Sequence, residues 1–131
     1  MNLLEENFPK DQRPQLREWH ISFRQIGRDF AHSGLQDRDI IPLLHRGRRV
    51  TFFTQDDDFF SQALCHPAYC LVFLDVRADD TADFVRRFLR HSRFSVERKR
   101  LGLVARVHHD SIEFWQKNHR ALQHVDWLRQ P

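Results

Sequence analysis

Tyr69-Cys70-Leu71-Val72-Phe73-Leu74-Asp75-Val76 is the most continuously apolar stretch of the chain, and its reading decides the fold. A short apolar run rich in aromatic and β-branched side chains, with no polar alternation, is the pattern of a strand covered on both faces. Upstream, Arg49 to Thr54 (Arg-Val-Thr-Phe-Phe-Thr) reads as a second strand, followed at once by three aspartates and a short helix from Phe59 to Leu64. Leu35 to His45 is predicted as a helix with Ile40, Ile41 and Leu44 on one face. His20 to Ile26 alternates as a half-buried strand, and Gln12 to Trp19 is a short helix that tolerates Pro14 in its first turn. Leu3-Leu4 is a very short apolar opening. Downstream, Thr81 to Arg93 carries Phe84, Val85, Phe88 and Leu89 at helical spacing. Leu101 to Val107 pairs back with Ser111 to Trp115 across a His109-Asp110 turn, and Ala121 to Leu128 is a weak amphipathic helix. Strands alternating with helices predict an α/β fold: one domain over residues 1–117, with a mainly parallel central sheet flanked by helices, and a helical C-terminal tail over 118–131.

Composition narrows the classes. With 40% hydrophobic and 30% charged residues among 131, the chain has the balance of a globular domain and not of a disordered one. No apolar run approaches the roughly 20 residues of a membrane span, and the acidic Glu5-Glu6 opening is unlike a secretory signal. Two cysteines, Cys65 and Cys70, exclude a disulfide-stapled mini-protein. The expectation is a cytoplasmic domain with no membrane partner. Charge is uneven: residues 1–76 hold 9 Lys/Arg and 11 Asp/Glu, residues 77–131 hold 12 and 7. A basic second half suits either a polyanion or a solvated surface.

In open parallel sheets, ligands sit beyond the carboxyl ends of the strands. Acidic residues gather where that rule points: Glu5 and Glu6 after the first apolar pair, Asp56, Asp57 and Asp58 after the Arg49–Thr54 strand, Asp37 and Asp39 at the opening of a helix, and Asp75 near the end of the apolar strand. Converging carboxylates repel unless a cation neutralises them, and a hard divalent ion takes oxygen ligands. Such an ion polarises a phosphodiester and acidifies a water. Helix capping accounts for one aspartate of the Asp56–Asp58 run. Asp39 is the expected cap of its helix, which puts Pro42 at the third helical position and leaves Asp37 with no structural job. Cys65 and Cys70 lack a second pair for zinc, no serine or cysteine sits in a nucleophile motif, and no glycine-rich phosphate loop exists.

Four motifs, in order, resemble those of a group of short PIN-like proteins. Leu3-Leu4-Glu5-Glu6-Asn7-Phe8-Pro9 is similar to that group's Leu-Leu-Asp-Glu-Asn-Leu-Pro opening, and Trp19-His20-Ile21 to its Gly-His-Asp-Val strand start. Gly34 to Ile41 resembles Gly-x-x-Asp-x-x-Ile-Leu, and Thr54-Gln55-Asp56-Asp57-Asp58-Phe59 resembles Thr-x-Asp-x-Asp-Phe. The resemblance spans residues 3–76 and implies a PIN-like fold. It also implies an Mg²⁺- or Mn²⁺-dependent endoribonuclease, of the kind that includes VapC-type toxins of toxin–antitoxin pairs. Carried over by position, the catalytic and metal-binding residues would be Glu5, Asp37, Asp56 and Asp58. Glu6, Asn7 and Thr54 would support them, Asp57 would point away, RNA would be the substrate and a small antitoxin protein the partner.

Glu5 stands where the group has aspartate, so the resemblance leaves as its alternative a non-cleaving module that works through protein or RNA contacts. Arg98, Lys99 and Arg100 are the expected RNA-phosphate contacts. Arg86, Arg87, Arg90 and Arg93 read more readily as a solvated helix face. The apolar pattern Ala121, Leu122, Val125, Trp127 and Leu128 is the expected face of a homodimer.

Overall fold

The computed structural model describes residues 1–127 as a single α/β domain. Seven strands form one sheet: β1 (Asn2–Leu4), β2 (Arg24–Gln25), β3 (Val50–Thr54), β4 (Tyr69–Leu74), β5 (Leu103–Val107), β6 (Ser111–Gln116) and β7 (Gln123–Asp126). Their order is β2-β1-β3-β4-β5-β6-β7, parallel through β5 and antiparallel for the last two. Every residue of β3 and of β4 is buried, as expected for strands at the centre of a sheet covered on both sides.

Helices cover the two faces. Helix α2 (Asp37–Gly47) turns Ile40, Leu43 and Leu44 onto Leu3, Val50, Phe52 and Leu71; that i, i+3, i+4 spacing is the apolar stripe of an amphipathic helix. On the other face α1 (Arg13–Glu18) and α3 (Thr81–Arg90) bury Leu16, Phe84, Val85 and Phe88 against Leu4, Phe53, Val72 and Ala105. A one-turn helix, α4 (Glu97–Arg100), leads into β5. The β5–β6 hairpin turns at His109-Asp110 as expected.

Four elements depart from the sequence reading. The strand expected over His20–Ile26 shrinks to Arg24–Gln25, because β1 offers it only Leu3 and Leu4 as partners and His20 turns with φ +59°. The helix expected over Phe59–Leu64 is two separate 3₁₀ turns, Asp57–Phe59 and Gln62–Leu64. Asp39 does not cap α2. Gln36 is the N-cap, and the Asp39 carboxylate reaches back to accept its N–H at 3.1 Å, so that Pro42 lies inside the helix. Among the described residues the tail forms a strand and no helix. Gln123–Asp126 pairs with β6 and belongs to the sheet, so no boundary falls at 117. Trp127 is 5% exposed and packs on Phe84. It is therefore part of the core and not of a dimer face; Leu128 lies outside the described residues.

Candidate metal centre

Side chains alternate along a strand, and the α2 face takes Leu3 from β1 and Val50 and Phe52 from β3. The next residues on that face are Glu5 and Thr54, where the strands end side by side in the Leu4–Phe53 register. The Glu5 N–H donates to Phe53 O at 3.1 Å. The Thr54 hydroxyl donates to Glu5 Oε2, and the Gln55 N–H donates to Oε1 at 3.1 Å. Thr54 thus fixes Glu5, and its oxygen also accepts the Asp56 N–H at 3.0 Å.

Asp56 caps the first 3₁₀ turn, accepting the Asp58 N–H at 2.9 Å. Capping therefore accounts for Asp56 in part, but it also aims Asp58 back across the strand end. Helix α2 supplies the third carboxylate, since its first residue is Asp37. One carboxylate oxygen from each of Asp37, Asp56 and Asp58 lies within 4.8 Å of the others. Two chain segments, the start of α2 and the turn after β3, deliver these groups to one point although Asp37 and Asp58 are 21 residues apart. Asp57 is exposed and outside the group.

The cluster borders a cleft of about 410 Å³ lined by Glu5, Glu6, Asn7, Asp37 and Asp56, with Ile26, Ile40 and Phe59 as its apolar wall. Burial raises the Glu5 carboxyl above its ordinary value. The hydrogen bonds from Thr54 and Gln55 oppose the rise, and the charges of Asp56 and Asp37 add to it. Burial raises Asp37 as well, followed by the charge of Asp56, a hydrogen bond shared with it, and the charge of Asp58. Both shifts come first from desolvation, and repulsion between neighbouring carboxylates adds to them. The donor set is all oxygen, anionic and open to water, which suits Mg²⁺ or Mn²⁺ and not a thiolate-seeking metal.

The other strand-end acids have separate structural roles. Glu6 accepts the Gly34 N–H with both oxygens, at 2.9 and 2.8 Å, and Gly34 needs its φ of +80° to present that amide. Asp39 completes the capping box, and Asp75 pairs with Arg106 at 2.7 Å. Asn7 is exposed at the cleft. Glu5 stands beside the aspartate group with both oxygens engaged by Thr54 and Gln55.

The expected RNA-contacting residues do not join this site. Helix α4 lies at the amino ends of β1 and β3, where Glu97 meets Arg49 at 2.7 Å and the Met1 amino group at 3.7 Å. Arg100 is 7% exposed and spends its guanidinium on Thr51 Oγ1 and Phe94 O, so it holds the fold together and is closed to RNA. Lys99 donates to Ser92 O at 3.0 Å, and Arg98 is exposed. Sequence reasoning missed Gln25 and Gln55. Gln25 Nε2 donates to the carbonyls of Glu5 and Glu6 at 3.1 and 3.2 Å and holds their loop; no local pattern marks a glutamine for that work. Among the described residues, no helix is long and apolar enough to cross a membrane. No family model matches the chain, and comparisons with curated proteins and with solved structures found no match.

Proposed function

We propose that the chain is a divalent-cation-dependent phosphodiesterase acting on RNA. The observation that carries this reading is the convergence of Asp37, from α2, with Asp56 and Asp58, from the turn after β3, within 4.8 Å and beside Glu5. Those three carboxylates would hold Mg²⁺ or Mn²⁺, which when bound supplies Lewis-acid polarisation of a phosphodiester and a more acidic water. Thr54 and Gln55 keep Glu5 at the edge of the cleft, and the Asp58 amide orients Asp56. Fixed carboxylates of this kind cost no reorganisation as charge develops on phosphorus. RNA as the substrate class, and a small antitoxin protein as the partner that would cover the cleft, rest on the PIN-like resemblance.

One observation favours a second reading, a non-cleaving binding module: both Glu5 oxygens already have hydrogen-bond donors. Incubating the protein with single-stranded RNA and Mn²⁺, beside the Asp56→Asn/Asp58→Asn double variant, separates the two. Hydrolysis by the wild type alone is the expected result, with a loss of at least about a hundredfold in the variant. Equal absence of cleavage in both, with Mn²⁺ binding intact in the wild type by calorimetry, would leave the binding module.

A further inference from the structure

Next to the acidic cleft lies a second cavity of about 270 Å³, which shares Glu6, Asn7 and Ile26 with it. Its charge is opposite. Lys10, Arg13 and Arg28 line it, against Glu6, whose oxygens are taken by the Gly34 amide. Lys10 and Arg28 are exposed at its rim. Arg13 is only 9% exposed.

Arg13 is the unusual group. A buried guanidinium normally has a carboxylate partner, because an uncompensated buried charge is costly. Here Nη1 donates to the neutral Gln25 Oε1 at 2.9 Å, and the buried Nε has no partner. No carboxylate oxygen among the described residues lies within ion-pair distance of it. Burial, with the charges of Arg28 and Arg17, lowers the Arg13 pKa; Asp29 opposes them. The position is nonetheless built: Gln25 is pinned through Nε2 to the carbonyls of Glu5 and Glu6, so its oxygen points at Arg13. The guanidinium is thus tethered to the loop that carries the acidic site, and no carboxylate of the described residues is close enough to pair with it.

We propose that this cavity is a phosphate-binding subsite in which Arg13, Lys10 and Arg28 supply the counter-charge and hydrogen bonds for one phosphate group. A planar guanidinium suits a tetrahedral oxyanion, and two rim cations add Coulombic attraction without closing the cavity. That the phosphate belongs to an RNA strand, seated beside the phosphodiester to be cut, rests on the reading of the acidic cleft given above.

The test runs in chelator, so that it is independent of metal and cleavage. Inorganic phosphate is titrated against the full chain at constant ionic strength, reading Tm and the NMR shift of the Arg13 Nε–Hε pair. Phosphate is expected to raise Tm beyond matched chloride and to move that resonance. The Lys10→Ala/Arg28→Ala variant, whose positions are exposed and whose Tm in chloride should stay at the wild-type value, is expected to bind about tenfold more weakly. An Arg13→Lys variant, folded by circular dichroism, should also lose affinity, because it keeps the charge but not the fork. If phosphate acts no differently from chloride, or the rim variant responds as the wild type does, the subsite is refuted. A labelled single-stranded RNA provides the second arm. Displacement of RNA by phosphate, with weaker RNA binding in the rim variant, assigns the phosphate to the strand. Phosphate binding without any effect on RNA assigns it to a free phosphate and refutes the strand. Loss of hydrolysis with phosphate binding intact would remove the hydrolase and leave the subsite standing.

Discussion

A carboxylate at the first position of a helix is ordinarily favourable, because it faces the positive end of the macrodipole. Asp37 has that position in α2 yet sits within 4.8 Å of oxygens from Asp56 and Asp58. At such separations, like charges cost more than an exposed terminal dipole returns. Repulsion should therefore win in the absence of a cation. Asp37→Asn keeps the shape and removes one charge, and we expect it to raise Tm in chelator by about 2 °C. Adding Mn²⁺ should reverse the order, raising the Tm of the wild type above that of the variant, since a ligand that binds only the folded state stabilises it. Thermal melts of both proteins with and without Mn²⁺ decide the matter. A variant less stable than wild type in both conditions would make Asp37 an ordinary helix-start residue. Single positions were the most legible part of the site: the aspartates stand out by number and by their place after strands. Arg13 and Gln25 do not, because what sets them apart is a partner supplied, or withheld, by distant chain.

At the scale of elements, legibility tracked how local the cause is. Strands β3 and β4 announce themselves because burial on both faces needs a continuous apolar run, and the stripe of α2 follows from its spacing. The start of α2 was misjudged for an instructive reason. Placing Pro42 in the first turn avoids losing an intrahelical bond, but the loop held by Glu6 and Gly34 delivers the chain so that Gln36 becomes the cap. The helix then carries Pro42 internally and leaves Arg38 O without its usual donor. We expect Pro42→Ala to stabilise the protein by about 1–2 kcal/mol, because Pro42 and Arg38 are both exposed and water offsets part of the loss. Urea unfolding should show a higher midpoint at an unchanged slope. A destabilised variant would mean that the ring instead pre-orders the turn that presents Asp37. β7 was hidden, and β2 drawn too long, for the opposite reason. Each is short, and its identity depends on a partner strand remote in sequence.

Across the whole molecule the two ends of the sheet have different tasks. The carboxyl ends of β1 and β3 gather the acidic cleft and the neighbouring cationic cavity, whereas the amino ends are tied by Arg49, Glu97 and Arg100. The far side is closed by β7, whose following residue Trp127 donates to His108 O at 2.8 Å and packs beside His91 at the end of α3. His91 is 5% exposed, and its Nδ1 accepts the Arg93 N–H at 3.0 Å, so the ring proton sits on a buried Nε2 whose approach to the Asp126 backbone falls short of hydrogen-bond geometry. Burial lowers its pKa below the ordinary 6.5; a carbonyl of Asp126 opposes the shift and the charge of Arg93 adds to it. The unfolded chain therefore takes up this proton at a higher pH than the folded one. The contribution is complete above pH 6.5 and drains away as the pH falls through the lower folded value. Unfolding free energies measured by urea across that window should decline in the wild type and decline less in His91→Gln, which keeps a polar group but cannot titrate. His66 is shifted the same way, so the variant should keep part of the slope. Parallel declines in the two proteins would mean that the seam between α3 and β7 opens enough to hydrate His91, and that β7 is not fixed in the sheet as its pairing with β6 requires.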